Sequence, residues 1–364
     1  MSEEIPAITT GEQILLPETP SEPAAAITIA ASENITQPLP ALIPSRKYAL
    51  LTLGSLALAF LLGGTATFSL LTTTTTRSLA IASTSKQTAA ATSAVPVPDA
   101  FASVQLQAQS AYVYDLKTHQ VLYMLNPDSE RPLASLTKIA MALAVTEVLP
   151  QDSRITIPYN TATPNSAEIL PKKSVWKVQQ VLDFTLIASS NQGADILASA
   201  ANDALHAKYP LSPSVGATVW RMNDIAKGLG LSSMIFSNDN GLDLSPTQSG
   251  AYGSARDVGM LVAYAASTSL SVFDATTKSS MSFKNDAGVT ATAFNTDTAL
   301  GAIPGIIMGK TGYTDLAGGN LAIVFDAGIG HPVVAVVMGS TEEGRFTDMK
   351  QLVSAAIASI SSGR

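Results

Sequence analysis

The longest apolar stretch in the chain is an uncharged run over residues 48–71, YALLTLGSLALAFLLGGTATFSLL, which follows directly on Arg46 and Lys47. It is apolar on every helical face, and as a helix its 24 residues would span about 36 Å against a hydrocarbon core of about 30 Å. The pattern predicts one transmembrane helix over 48–71. A buried core helix fits the length less well. A cleaved signal peptide fits the position less well, because the run lies far from Met1 and no convincing small-x-small site follows it. Residues 1–47 lack an apolar period and are rich in Pro, Ser, Thr and Ala, so they read as a disordered tail. Residues 72–103, with five consecutive threonines at 72–76, read as a flexible linker. As a random coil they would reach about 30 Å root-mean-square.

From Val104 to Arg364 the pattern is that of one packed domain, long enough for a sizeable core. Two strand-like runs, AYVYDL at 111–116 and QVLYML at 120–125, flank a short turn and predict a hairpin. Ser135 then precedes TKIAMALAVTEVL, in which Ile139, Leu143 and Val148 recur at helical spacing. The middle of the domain is helical in pattern, including VLDFTLIASSNQGADILASAA at 181–201. GIIMGKTGYT, NLAIVF and PVVAVVMGS read as three strands. A last helix follows, with Phe346, Met349, Val353, Ala356 and Ile360 on one stripe. Strands at both ends with helices between them predict an α+β domain, its antiparallel sheet formed by both ends of the chain.

Charge sharpens the division. The net charge is -7, but residues 1–45 hold six Glu and no base, which leaves 22 acids against 21 bases over 46–364. The acidity belongs to the tail, and the near-neutral remainder disfavours nucleic acid as a partner. Cysteine is absent, so disulfides, thiol catalysis and Cys-ligated metals are excluded. The three histidines, His119, His206 and His331, are too scattered for a H-E-x-x-H zinc site. A hydrolase built on this chain is expected to need no metal and no cofactor.

Two motifs mislead. GIIMGKT at 305–311 is one residue short of phosphate-loop spacing and precedes strand-like sequence where a phosphate loop must open a helix. No G-x-S-x-G elbow occurs, which disfavours the α/β-hydrolases. The informative motif is Ser135-Leu136-Thr137-Lys138. At the start of an amphipathic helix Lys138 shares the face of Ser135 one turn away, and the helix N-terminus offers N–H groups to a developing oxyanion. A serine hydroxyl becomes a nucleophile when a base takes its proton, and a neutral lysine can be that base. The competing reading makes Ser135 a helix N-cap and Lys138 a solvated charge. A second S-x-x-K at 83–86 in the linker shows how little the bare pattern means. Likewise Ser189-Ser190-Asn191 reads alone as a helix terminus, and Lys310-Thr311-Gly312 as a strand charge followed by a turn.

Ser135, Ser189 and Lys310, in that order and spacing, resemble the S-x-x-K, S-x-N and K-T-G set of the penicillin-binding, active-site-serine family. RPLASLTKIAMAL, FSNDNGLD, GSARDVGMLVAYA and MGKTGYTDLAGGNLAIVF resemble its low-molecular-mass D-Ala-D-Ala carboxypeptidases, over essentially 104–364. The resemblance implies a penicillin-binding/β-lactamase-like transpeptidase domain with a helical subdomain. It makes Ser135 the acylated nucleophile, Lys138 its base and Ser189 a proton relay. Asn191 would line the cleft, and Lys310 would help keep Lys138 neutral. Thr311, with Gly312 beside it, would bind the substrate's terminal carboxylate. The backbone N–H groups of Ser135 and Tyr313 would form the oxyanion hole. Arg256, in SARD, is a candidate second carboxylate contact, with a salt bridge to Asp257 or another acid as the alternative. Two departures bear on fine positioning: Gln192 stands where the family often has an acid, and the turn Lys117-Thr118-His119 lacks the usual glycine.

The implied reaction is removal of the terminal D-Ala from peptidoglycan stem pentapeptides, with β-lactams as covalent inhibitors. D,D-endopeptidase action on cross-links is the alternative, since it uses the same residues. A class A β-lactamase is disfavoured, because that class needs a glutamate between the second and third motifs and no Glu occurs from Asn191 to Gly309. A non-catalytic wall-binding or β-lactam-sensing module is disfavoured by the intact motifs. The family's β-rich extra domain and amphipathic C-terminal anchor are not expected before Arg364, so the N-terminal helix would serve as anchor. Flanking charges, Arg46 and Lys47 against Arg77 and Lys86, leave orientation open. A wall substrate sets it: N-terminus inside, catalytic domain outside the cytoplasmic membrane.

Overall fold

The structure, a computed structural model, describes residues 99–159 and 170–363. The expected tail, transmembrane helix and nearly all of the linker lie outside the described residues. Among the described residues, no single helix is long and apolar enough to cross a membrane.

The chain enters through the predicted hairpin, β1 (Ser110–Asp115) and β2 (Gln120–Leu125). Its turn works without glycine because His119 takes the left-handed conformation, φ 58°, while Asp115 Oδ1 accepts the Lys117 and Thr118 N–H groups at 2.8 and 3.1 Å. A two-residue strand β3 (Arg131–Pro132) leads into a 3₁₀ turn, Ala134–Leu136, and helix α1 (Thr137–Thr146). The short strands β4 (Arg154–Thr156) and β5 (Val175–Lys177) pair with each other. The helical body follows: α2 (Val178–Ala188), α3 (Asn191–Lys208) and α4 (Ala217–Gly228). The run expected to be helical over 181–201 is broken at Ser189-Ser190. Ser189 closes α2 with φ 57°, and the Ser190 side chain caps α3 by accepting from Gly193 N.

Strands β6 (Ile235–Phe236) and β7 (Ala251–Gly253) join β3 in a small sheet, order β3-β7-β6. Helices α5 (Ala255–Thr268) and α6 (Leu270–Phe273) and the hairpin β8 (Ser280–Lys284) and β9 (Thr290–Phe294) complete the insertion. The chain then returns as β10 (Ile306–Thr314), β11 (Gly318–Asp326) and β12 (Pro332–Ser340), and ends in α7 (Gly344–Ser361).

The main sheet has the order β10-β11-β12-β1-β2, with every pair antiparallel, so β1 from the start of the domain meets β12 from its end. This is the predicted union of the two ends. Both faces of the sheet are covered, which explains why β11 and β12 read as continuous apolar runs. Tyr112, Ala322, Val324, Val334 and Val336 face the core shared with the helical body. Their neighbours Val113, Leu321, Ile323, Phe325, Val333 and Ala335 face a second core with Phe346, Met349, Leu352 and Val353 of α7. Asp348 of α7, wholly buried, locks the first residues of the domain to the last strand. Its oxygens accept from Gln107 N (3.0 Å), Ala108 N (2.9 Å) and Ser340 Oγ (2.7 Å).

Candidate active site

Ser135 sits in the 3₁₀ turn, not at the α1 N-cap, which is Leu136 without a side-chain cap. Ala134 before it has φ +49°, a left-handed conformation that costs free energy in a residue with a Cβ. The surrounding packing imposes it. Gly241 abuts the Ala134 carbonyl so closely that a Cβ there would collide with it. Asn320 of β11 donates to the Pro132 and Leu133 carbonyls at 3.0 and 3.1 Å and accepts from Gly339 N at 2.9 Å, tying the serine turn to the sheet. Edge strand β10 presses on the same turn at Gly312, where a Cβ would lie 2.9 Å from Leu133 O and 3.2 Å from Ser135 N. These contacts leave Ser135 partly exposed at the junction of sheet and helical body.

One turn on, Lys138 is wholly buried, which removes the reading of it as a solvated charge. Its Nζ reaches Ser135 Oγ (2.7 Å), Asn191 Oδ1 (2.8 Å) and the Asn240 carbonyl (2.6 Å). Two of these partners can only accept. A neutral amine therefore spends its two N–H groups on Asn191 and Asn240 and turns its lone pair to the serine hydroxyl. Burial lowers the Lys138 pKa to about 7, against the opposing charges of Asp195 and Asp239. Burial is the main cause, and Lys310 shares in a mutual repulsion with Lys138: its own pKa is held well below the ordinary lysine value by burial and then by Lys138 and Arg345.

The second and third motifs arrive as expected, on the α2–α3 break and on β10. Lys310 Nζ donates to Ser189 Oγ (2.8 Å) and the Thr311 carbonyl (3.0 Å), joining the two motifs. Thr311 Oγ1 shares a hydrogen bond with Thr296 Oγ1 (2.6 Å). Tyr313, the next side chain but one on β10, is 45% exposed. Ser135, Lys138, Ser189, Asn191, Lys310, Thr311 and Gly312 thus converge from the serine turn, α1, the α2–α3 break and β10.

Arg256 does not join them. At the start of α5 it forms a two-pronged pair with Asp128 (2.6 and 3.1 Å) and lies over the Tyr112 ring. The salt-bridge alternative therefore holds, with Asp128 in place of Asp257, whose carboxylate is taken by Ser233. The buried arginine at the site is Arg345 of α7, whose Nη1 donates to the Gly312 carbonyl at 2.8 Å. Sequence reasoning missed it because Arg345 precedes an ordinary amphipathic stripe and only the sheet brings α7 under β10. It also assigned no role to Asn240, although FSNDNGLD stood out as a stretch. Gln192 uses its Oε1 to accept from Leu170 N (2.8 Å), a structural tie.

A sheet closed by both ends of a domain, with the nucleophile on the helical insertion and a Lys-Thr-Gly strand at its edge, is the arrangement of the active-site-serine hydrolases that use lysine. Residues 92–342 match the peptidase S11 family, described as D-alanyl-D-alanine carboxypeptidase, and the chain belongs to that family. It is 31% identical over 254 residues to the D-alanyl-D-alanine carboxypeptidase DacB2 of Mycobacterium tuberculosis, covering 69% of this chain and 79% of that protein. It is 27% identical over 248 residues to the D-alanyl-D-alanine endopeptidase of Escherichia coli, covering 67% and 74%. Penicillin-binding protein D2 of Listeria monocytogenes, solved in its cefotaxime-bound form, superposes with a TM-score of 0.58 at 28% identity, over 69% of this chain and 98% of that one.

Proposed function

We propose that this protein is a serine-type D-Ala-D-Ala carboxypeptidase that trims peptidoglycan stem pentapeptides through an acyl-Ser135 intermediate. The observation that carries the reading is the buried Lys138 Nζ, 2.7 Å from Ser135 Oγ, with its other two contacts being acceptors. Neutral Lys138 takes the hydroxyl proton as Ser135 Oγ attacks the carbonyl of the penultimate D-Ala. The tetrahedral oxyanion is held by the N–H groups of Ser135 and Tyr313. Lys138 passes that proton on through Ser189, which lies within reach of Lys310, to the departing amine, so D-Ala leaves as the neutral amino group and Lys138 is neutral again. Water then attacks the ester, its proton going to Lys138 and from there to Ser135 Oγ as the trimmed peptide is released. Thr311 hydrogen-bonds the terminal carboxylate, the buried Arg345 supplies positive potential beneath it, and Lys310 holds Ser189 in place.

A β-lactam carbonyl presents the same reacting atoms, and the family likeness to a cefotaxime-bound protein supports acylation of Ser135 by such drugs. Slow release follows from the absence of any Glu from Asn191 to Gly309. Endopeptidase action is a second reading, favoured by the likeness to the Escherichia coli endopeptidase. The run at 48–71, followed by the Ser/Thr/Ala-rich linker 72–103, supports anchorage in the cytoplasmic membrane with the domain 104–364 outside and the acidic tail inside. The test is incubation of the detergent-purified chain with defined muropeptides and mass spectrometry of the products. Loss of one alanine, abolished in Ser135→Ala, is the expected result. Conversion of cross-linked dimers to monomers with pentapeptides left intact would replace it by the endopeptidase reading.

A further inference from the structure

Thr311 is only 4% exposed, and its hydroxyl is paired with a second one: Thr296 Oγ1 lies 2.6 Å from Thr311 Oγ1. Thr296 stands two residues past β9 and is half-buried, so it is the more open of the two threonines. Its backbone is built into the site. Thr296 N donates to the Ile187 carbonyl (3.3 Å) in the last turn of α2, two residues before Ser189. The neighbouring Asn295 spans three partners: Nδ2 donates to the carbonyls of Thr276 (2.8 Å) and Lys278 (2.9 Å), and Oδ1 accepts from Asp297 N (2.8 Å). Thr276 Oγ1 in turn accepts from Gly309 N of β10 (3.2 Å). The segment 295–297 is thus fixed to α2 on one side and, through Thr276, to β10 on the other. A hydroxyl seated this rigidly beside the Lys-Thr-Gly strand has the preorganisation that a binding contact needs.

We propose that Thr296 is a second substrate-binding hydroxyl, which grips the free carboxylate of the departing residue together with Thr311. The inference rests on the reading of Thr311 as a ligand of that carboxylate. Two paired hydroxyls place one hydrogen between their oxygens and keep the other. A carboxylate has only acceptor oxygens, so on entering it draws one hydrogen from each threonine and the contact between them opens. Hydrogen bonds to a charged acceptor are stronger than the neutral hydroxyl pair they replace. Specificity follows from this exchange. A ligand whose carboxylate is esterified offers a weaker, uncharged acceptor and leaves the two hydroxyls bonded to each other.

The experiment compares acylation of the full detergent-purified chain by benzylpenicillin, which carries a free carboxylate, and by its methyl ester, followed as protein mass over time. Thr296→Val keeps the shape and removes the hydroxyl. It is expected to slow acylation by the acid about 10-fold, the loss of one hydrogen bond to a charged group, and by the ester less than about 2-fold. Thr296→Ser should restore most of the loss. Equal slowing of both probes would overturn the proposal, because a merely structural role does not distinguish them, and so would parent rates on both. The double variant Thr296→Val/Thr311→Val tests direct contact. Losses that multiply support it, whereas a double variant no slower than Thr311→Val would show that Thr296 only aims the other hydroxyl. Should Thr296→Val fail to fold by thermal melting, Thr296→Ala takes its place. Thr311→Val alone is the separate control. Acid and ester slowed alike there would sink the carboxylate reading of Thr311 itself, while discrimination in Thr311→Val and none in Thr296→Val would sink only the role of Thr296.

Discussion

Gly312 is where the edge strand touches the serine turn, and Gly312→Ala measures how closely the two are matched. The added Cβ would sit 2.9 Å from Leu133 O, 3.2 Å from Ala134 Cβ and 3.2 Å from Ser135 N, whereas ordinary contact begins near 3.4 Å. Two of these three neighbours are backbone atoms, and Leu133 O is itself held by Asn320 at 3.1 Å. Either β10 or the turn must therefore retreat by about 0.5 Å, an overpacking expected to cost about 1–3 kcal/mol. For a domain of this size each kcal/mol lowers the melting temperature by about 2–4 °C. The same displacement moves Ser135 against Tyr313 and Thr311. At about 100-fold per ångström of misplacement, it should slow acylation by about 10-fold. The assay pairs thermal melting with the rate of fluorescent penicillin labelling. Gly228→Ala is the control: it ends α4 in open space and should be neutral or stabilising by up to about 1 kcal/mol, with labelling unaffected. Parent melting temperature and parent labelling rate in Gly312→Ala would refute the reasoning.

Acylation should rise with pH through a midpoint near 7, because Lys138 is neutral only above its lowered pKa of about 7; a rate flat from acid to neutral pH would contradict this. The same shift has a sign for stability. The folded pKa lies below the model-compound value of 10.5, so the unfolded chain binds more protons between the two, and Lys138 makes folding more favourable as pH rises through that window. Measured as the pH slope of denaturant midpoints, this positive contribution should vanish in Lys138→Met. Asp348→Ala strands two backbone N–H donors and the Ser340 hydroxyl in the second core, and should lower stability by about 2–4 kcal/mol. A melting shift under one degree would show that the clamp between the domain's two ends is dispensable. Arg256→Ala breaks a largely exposed pair, 2.6 Å from Asp128, and should cost about 0–1 kcal/mol. Carboxypeptidase KM should stay at the parent value, and a large rise would restore Arg256 to the substrate.

The sequence carried more of the site than of its surroundings. Ser135, Lys138, Ser189, Asn191, Lys310 and Thr311 were legible because motif order and helical spacing survive translation into one dimension. Lys138 follows Ser135 by one turn whatever else happens. Arg256 and Arg345 show the opposite case. Both are arginines near a helix start, at Ala255–Thr268 and Gly344–Ser361, and nothing local to either tells which will lie beneath Gly312.

What the chain alone determined is therefore periodic: the hairpin, the three late strands whose unbroken apolar runs required cover on both faces, the helix stripes, and the separation of an acidic tail from a neutral domain. Tertiary structure decided the electrostatics. Burial of Lys138 beneath the serine turn brings its pKa to about 7, and the Asn240 carbonyl that shares its nitrogen comes from 102 residues away. Desolvation depends on every atom that displaces water around a group, and those atoms are gathered by the closed sheet and the helices packed on it. Local spacing can place a lysine beside a serine, but only the fold removes the water that would keep it charged.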